Sequence, residues 1–221
     1  MNFTRTLALL LGLSIFCSTS YAANIRYETR DIDKNFSNRD FLGTWKSMTN
    51  DIRSTTLDSF TNIKSGNKRL SLLTIDFELT QNDNWSIEAG LDAGYGAAIY
   101  VNDEKVGESL SDLWWKHKWN NKSVFSVDNL DLIAGLNTIQ ALWAENCCNG
   151  SSSIRFSNNS TEMVLLTTEN LAAAEQTNQN LAAAKLRTQN LIVASVPEPS
   201  TLAIFALGIM GLVSRRLKKY P

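Results

Sequence analysis

The sequence predicts a mainly β protein: an antiparallel β-sandwich followed by an alanine-rich helical stalk and a short C-terminal membrane anchor. Three observations predict it. Between Leu70 and Thr167, short runs alternate apolar and polar residues, the period of a strand with one buried face. Clusters of Gly, Asn and Asp separate these runs at regular intervals, as turns between short antiparallel strands require. Beyond Thr167 the composition shifts to Ala, Leu, Asn and Gln, and beyond Val196 to an apolar run closed by Arg and Lys.

Residues 1–22 read as a secretory leader. Arg5 supplies the positive start, Leu7 to Phe16 the apolar stretch, and Ser20 and Ala22 the small residues before a cut near Ala23. Phe16 is too bulky for the position before a lipidated cysteine, so Cys17 is not read as a lipid anchor. Setting aside Arg5, Arg215, Arg216, Lys218, Lys219 and Glu198 with the two ends leaves a mature chain of net charge about −5. It has no basic stripe, which excludes nucleic acid as the expected partner.

Residues 23–167 form the expected sandwich. The stretch 24–69 is polar and mixed and reads as loops with a short helix or strand. Leu73, Ile75, Phe77 and Leu79 alternate with Thr74, Asp76, Glu78 and Thr80, which gives a strand with one buried face. Asn82, Asp83 and Asn84 turn the chain, and Trp85, Ile87 and Ala89 alternate again. Gly90, Gly94 and Gly96 bracket a loop carrying Asp92. Ala97 to Val101 is a strand that Asn102 and Asp103 turn back toward Val106. Val124 to Val127, Thr138 to Trp143, Ile154 to Phe156 and Met163 to Thr167 complete the set, with Asn149 to Ser153 as a loop.

The residues that carry chemistry are few. Cys147 and Cys148 are adjacent, and the exported context permits disulfides. They bond to each other, bond to another chain or stay reduced. A vicinal bond would present a hard apolar plate, usable as a turn staple or against a sugar ring. Trp114, Trp115 and Trp119 gather near the single histidine, His117, either as a platform for sugar stacking or as core. No serine–acid constellation accompanies His117, so a catalytic triad is not supported. Glu88, Asp92, Glu104 and Glu145 are the carboxylates from which a glycosidase pair would have to be drawn. Two cysteines do not make a closed metal site.

Residues 168–195 repeat Asn-Leu-Ala-Ala-Ala from Asn170 and Asn180, and Asn-Leu-Ile-Val-Ala from Asn190. The composition favours helix. A ten-residue period lets Leu171, Leu181 and Leu191 drift around the axis, so a coiled coil is not expected. The reading is a helical stalk, with an unstructured spacer as its alternative. Residues 196–221 begin Val196-Pro197-Glu198-Pro199-Ser200. The prolines keep this segment extended. An apolar stretch from Thr201 to Ser214 and the Arg215–Lys219 cluster follow. The stretch is shorter than the roughly 20 residues of a comfortable span, and the basic cluster marks the cytoplasmic side.

This tail resembles the PEP-CTERM sorting signal of Gram-negative bacteria: Val196, Pro197, Glu198 and Pro199, a short anchor, then the basic cluster. The resemblance implies handling by an exosortase, transient membrane attachment, and delivery to the cell surface or extracellular matrix among exopolysaccharide. Cys147, Cys148, Asn149 and Gly150 also fit the Cys-Cys-x-Gly motif of one group of such proteins. Residues 70–167 loosely resemble the jelly-roll sandwich of protective-antigen-type domains and flocculin-type lectins, in which acidic loop residues hold calcium and calcium holds sugar. By position Asp92 matches the acidic loop. It stands between Leu91 and Ala93, without the paired aspartate of the calcium-binding members, so no metal site is assigned and Asp92 is only a calcium candidate.

The expected function is that of a non-enzymatic exported surface or matrix protein. The alternative is a carbohydrate-binding adhesin using Asp92, Trp114, Trp115 and the Cys147–Cys148 turn. The third is a glycan-processing enzyme.

Overall fold

The structure is a computed structural model that describes residues 22–32, 36, 40–159 and 162–195 of the 221-residue chain. The expected leader, up to residue 21, and the expected sorting tail with its anchor lie outside the described residues. Among the described residues no helix is long and apolar enough to cross a membrane.

The fold is antiparallel β throughout, in two main sheets. The first is built from β1 (Asn24–Asp31), β2 (Arg53–Leu57), β4 (Arg69–Leu79), β7 (Ala97–Val101), β8 (Glu104–Ser109) and β11 (Gly135–Glu145), ordered β2-β1-β4-β11-β7-β8. The second runs β10-β5-β12-β13, from β5 (Asp83–Gly90), β10 (Val124–Leu132), β12 (Ser151–Asn158) and β13 (Val164–Leu165), with β3 (Ile63–Lys64) also pairing β12. A small ribbon joins β6 (Asp92–Ala93) to β9 (Leu113–Trp114).

The alternating residues meet between the sheets. Ile75 and Phe77 of β4 and Ile139 and Trp143 of β11 face Trp85 and Ile87 of β5 and Ile154 and Phe156 of β12 in one apolar core. Trp85 stacks between Phe77 and Phe156, with centroids at 4.6 and 4.9 Å. Buried polar tips find partners, as indoles in a core require: Trp85 Nε1 donates to Asp83 Oδ2 at 3.0 Å and Trp143 Nε1 to Ser65 Oγ at 3.0 Å.

Three expectations are corrected. The stretch 24–69 is not mainly loop: β1 pairs with β4 over its full length. Its alternation of Ile25, Tyr27 and Thr29 with Arg26, Glu28 and Arg30 is a strand pattern with few large apolar residues. Second, the near half of β4 is buried on both faces. Leu70 and Leu72 join Ala98, Tyr100, Leu142 and Ala144 in a second core under α1 (Phe41–Ser47), whose Phe41, Leu42 and Trp45 cover the outside of the first sheet. Asp40 caps that helix by accepting from the Gly43 N–H at 2.9 Å. Third, Ser151 to Ser153 belong to β12 and are not loop; Ser152 and Ser153 are buried.

The predicted β7–β8 hairpin is present. Asn102 and Asp103 both take positive φ (50° and 67°), the conformation of a tight hairpin turn. β8 then bulges where its pairing slips between Ile99 and Tyr100.

The stalk segment is one helix, α2 (Thr168–Ser195), and its first half is docked. Leu171, Ala174 and Asn178 share one face at helical spacing and are buried against the sandwich. The ten-residue period turns each repeat by about 80°, so Leu181 falls off that face and is 42% exposed. Asn178 Oδ1 accepts from Thr80 N and Gln81 N at 2.9 and 3.1 Å, and Nδ2 donates to Gln81 O at 3.1 Å, clamping the β4–β5 turn.

Candidate functional site

Several strands reach one end of the sandwich together. β11 stops at Glu145, β5 at Gly90, and β12 starts at Ser151. The β6–β9 ribbon lies over this end and puts Asp92 opposite Trp114. Between them opens a cavity of about 410 Å³, within the size range of small-ligand clefts. Its walls are Asp92, Gly94, Asp112 and Trp114 on the ribbon side, and Glu145, Asn146, Cys147, Cys148 and Gly150 on the other.

The second wall is a clamped turn. The sulfurs of Cys147 and Cys148 are bonded to each other, with α-carbons 3.8 Å apart. Cys148 and Asn149 take positive φ (75° and 49°), as so tight a reversal demands. Glu145 holds the turn's entrance: Oε1 accepts from Asn146 N and Cys147 N at 2.7 Å each, and Oε2 accepts from Gly94 N at 3.1 Å. Asp92 holds its exit: Oδ2 accepts from Gly150 N, and the Asp92 N–H donates to Ser152 Oγ at 3.1 Å. Asn149 Oδ1 accepts from Gly66 N at 2.8 Å and ties the tip to the neighbouring loop.

Burial pushes the Asp92 carboxyl above its ordinary value; the Gly150 N–H pulls it back and the Asp112 charge raises it again. Burial likewise raises Glu145, offset by the Cys147 N–H and reinforced by Asp92. Glu145 thus feels the Asp92 charge, and Asp92 that of Asp112.

The tryptophans part company. Trp114 is 58% exposed on the rim, with Lys116 Nζ 4.5 Å from its ring centroid. Trp115 is buried: its indole lies so close over Gly90 that a Cβ there would meet the ring at 2.5 Å, and its Nε1 donates to Ser151 O at 2.8 Å. Trp119 packs against Trp115 at 4.7 Å and under Arg155. Trp115 is thus a structural floor and does not line the cavity. His117 packs on Trp115 and contacts Asn62 Oδ1 at 3.2 Å, away from the cleft lining.

Of the residues singled out from sequence, Asp92, Trp114, Cys147 and Cys148 come together here. Asp112 was missed, and Glu145 was noted only as one carboxylate among four. Neither carries a sequence signal beyond its charge, although Glu145 ends the Trp143 strand just before the cysteine pair. The remaining two carboxylates stand elsewhere: Glu88 pairs with Arg155 at 2.6 Å on the second sheet, and Glu104 starts β8. Among the described residues no three His, Cys, Asp or Glu side chains gather to hold a metal ion. Glu145 spends both of its oxygens on backbone N–H groups, and Asp92, the calcium candidate, spends Oδ2 on the Gly150 N–H. Val196, Pro197, Glu198 and Pro199 lie outside the described residues.

Residues 195–219 match the PEP-CTERM protein-sorting motif. No curated protein matches the chain. Solved structures of similar architecture include the PA14 sugar-binding domain from an RTX adhesin, at 8% identity and TM-score 0.48 over 67% of this chain and 97% of that one. The PA14 domain of the antifreeze protein MpAFP aligns at 10% identity and TM-score 0.43, over 69% and 90%. The epithelial adhesin 9 A domain from Candida glabrata, in complex with Galβ1-4GlcNAc, aligns at 9% identity and TM-score 0.44, over 65% and 86%.

Proposed function

We propose that the chain is a non-enzymatic surface or matrix protein of a Gram-negative bacterium, exported by its leader, sorted by an exosortase and binding carbohydrate in the Asp92–Trp114–Cys147–Cys148 cleft. The export half rests on the sorting motif at 195–219. The binding half rests on one observation: a large indole stands exposed on the rim of a cavity whose other walls are carboxylates and a vicinal disulfide. An aromatic face accepts the C–H side of a sugar ring, and carboxylate and amide oxygens accept its hydroxyls. The surroundings expected for such a protein are exopolysaccharide. The Cys147–Gly150 turn fits membership of the Cys-Cys-x-Gly group.

The clamped turn favours a second reading, in which the disulfide is a staple in a purely structural matrix protein. Glu145 and Asp92 both hold backbone N–H groups, which a staple alone would need. A glycan array with and without calcium separates the two. Binding that survives chelation and falls at least ten-fold in Trp114→Ala, with less than about 0.5 kcal/mol lost in stability as for a surface change, supports the lectin reading. A silent array leaves the staple. The sorting role predicts that Pro197→Ala with Glu198→Ala abolishes processing and surface delivery, read by the mass and location of the mature chain; unchanged delivery rejects it.

A further inference from the structure

The cleft and the C-terminal helix occupy opposite poles of the sandwich. β4 runs from the cleft pole, where Arg69 pairs with Glu145, to the far pole, where Leu79 pairs with Gly135. β12 runs the same way, from Ser151 to Asn158. α2 starts beside the middle of the second sheet, where Leu166 N donates to Ile154 O and Thr168 N to Asp58 O, both at 2.9 Å. It then passes Glu78, with Glu175 Oε1 accepting from Glu78 N at 3.1 Å, and reaches the β4–β5 turn at Asn178. Lys185 Nζ donates back to Gln81 Oε1 at 2.8 Å, so the helix is already leaving the turn there.

The helix therefore travels away from the cleft. Strand β4 spans about 33 Å, and the helix continues about 25 Å past Asn178. Its last residue, Ser195, is where the sorting motif begins. The docking is specific, because Asn178 is fully buried with its amide hydrogen-bonded on both sides.

We infer that the docked helix fixes the cleft at the pole remote from the attached C-terminus, so that the cleft engages carbohydrate borne by a surface other than the one that holds the protein. The choice of carbohydrate as partner rests on the function proposed above; the orientation does not. The Asn178 clamp holds the cleft and the helix end at a fixed angle to each other, and the helix sets the distance between them.

The test uses the full chain displayed on cells that process it, with two exposed positions replaced singly: Lys118→Cys on the loop that Trp115 anchors at the cleft end of the sandwich, and Gln189→Cys on the helix. Each is labelled with a small maleimide and with maleimide on a large dextran, against the unsubstituted chain as background. The ratio of dextran to small-reagent labelling is expected to be at least ten-fold higher for Lys118→Cys. Equal ratios, or the reverse order, overturn the orientation whatever the ligand. In a second arm, beads carrying the highest-scoring array glycan are expected to be captured by displaying cells at least ten-fold more than by cells displaying Trp114→Ala. If the purified chain binds that glycan and displaying cells do not capture the beads, the outward cleft is wrong and the carbohydrate reading stands. A silent array removes the carbohydrate partner and leaves the labelling ratio to decide orientation.

Discussion

The two poles of the sandwich solve the same problem with different chemistry. At each, one buried side chain gathers the backbone N–H groups of a turn. At the stalk pole it is Asn178, neutral, accepting with one end of its amide and donating with the other. At the cleft pole it is Glu145, able only to accept when ionised, with Asp92 doing the same across the cavity. A neutral clamp is indifferent to pH and to its neighbours. A charged clamp draws two carboxylates together in a half-buried place. The difference is one of charge: the stalk pole is clamped by a neutral amide, the cleft pole by two carboxylates that stand beside an exposed indole.

The comparison can be broken most sharply at Asn178. Asn178→Ala strips the acceptor from Thr80 and Gln81 and leaves Gln81 O without its donor, and should cost about 3 kcal/mol, seen as a drop in Tm. Hydrogen exchange should show α2 losing protection while β5 and β12 keep theirs. A variant as stable as the parent would mean that the helix is not docked by this clamp.

A smaller effect separates the poles by pH. Asp92 and Glu145 have carboxyl values raised above ordinary, so the folded chain binds these protons more tightly than the unfolded chain. Their contribution is then fully present below the ordinary carboxylate range and is lost as pH rises through the raised folded values. Denaturant midpoints should fall from this source as pH rises above the ordinary carboxylate range. Glu145→Gln should flatten that slope, and Asn178→Ala should leave it unchanged. A slope unaffected by Glu145→Gln would remove the charged clamp from the account.

The smallest effect is on the disulfide. Closing a ring between neighbours restricts the unfolded chain little, so reduction should cost about 1 kcal/mol or less. Glycan binding, by contrast, should drop because the plate loses its shape. Mass before and after alkylation reports the bond. A large loss of stability on reduction would make the turn a staple of the whole pole.

Much of the sandwich was legible because its signals are local. The β4 alternation and the Asn102-Asp103 turn depend on side-chain period and backbone conformation, which neighbours in sequence determine. β1 was passed over because its alternation carries few large apolar residues, and the burial of Arg30 comes from Trp45, a contact across 15 residues that no period announces. The two-sided burial of β4 was hidden for the same reason: α1 arrives from elsewhere in the chain. At the cleft, the cysteine pair and Asp92 stood out by type and setting. The fates of Trp114 and Trp115 follow from the two-residue period of a strand, which sends neighbours to opposite faces; Leu113 and Trp115 turn in and Trp114 turns out. Asp112 and the clamping role of Glu145 depend on which backbone amides the fold brings near, and sequence alone carries no mark of that.

The outer strands of the first sheet have a consequence for life at high density. Matrix and surface proteins are crowded against copies of themselves, and an open row of backbone donors and acceptors invites accretion strand by strand. β2 is exposed and polar along Arg53 to Thr56, and β8 is broken by its bulge and carries Glu104, Lys105 and Glu108. Charge and irregularity at both margins are the usual defence against edge-to-edge growth. A layer of these molecules can therefore be packed tightly without fusing into fibres, and each copy keeps its own sandwich.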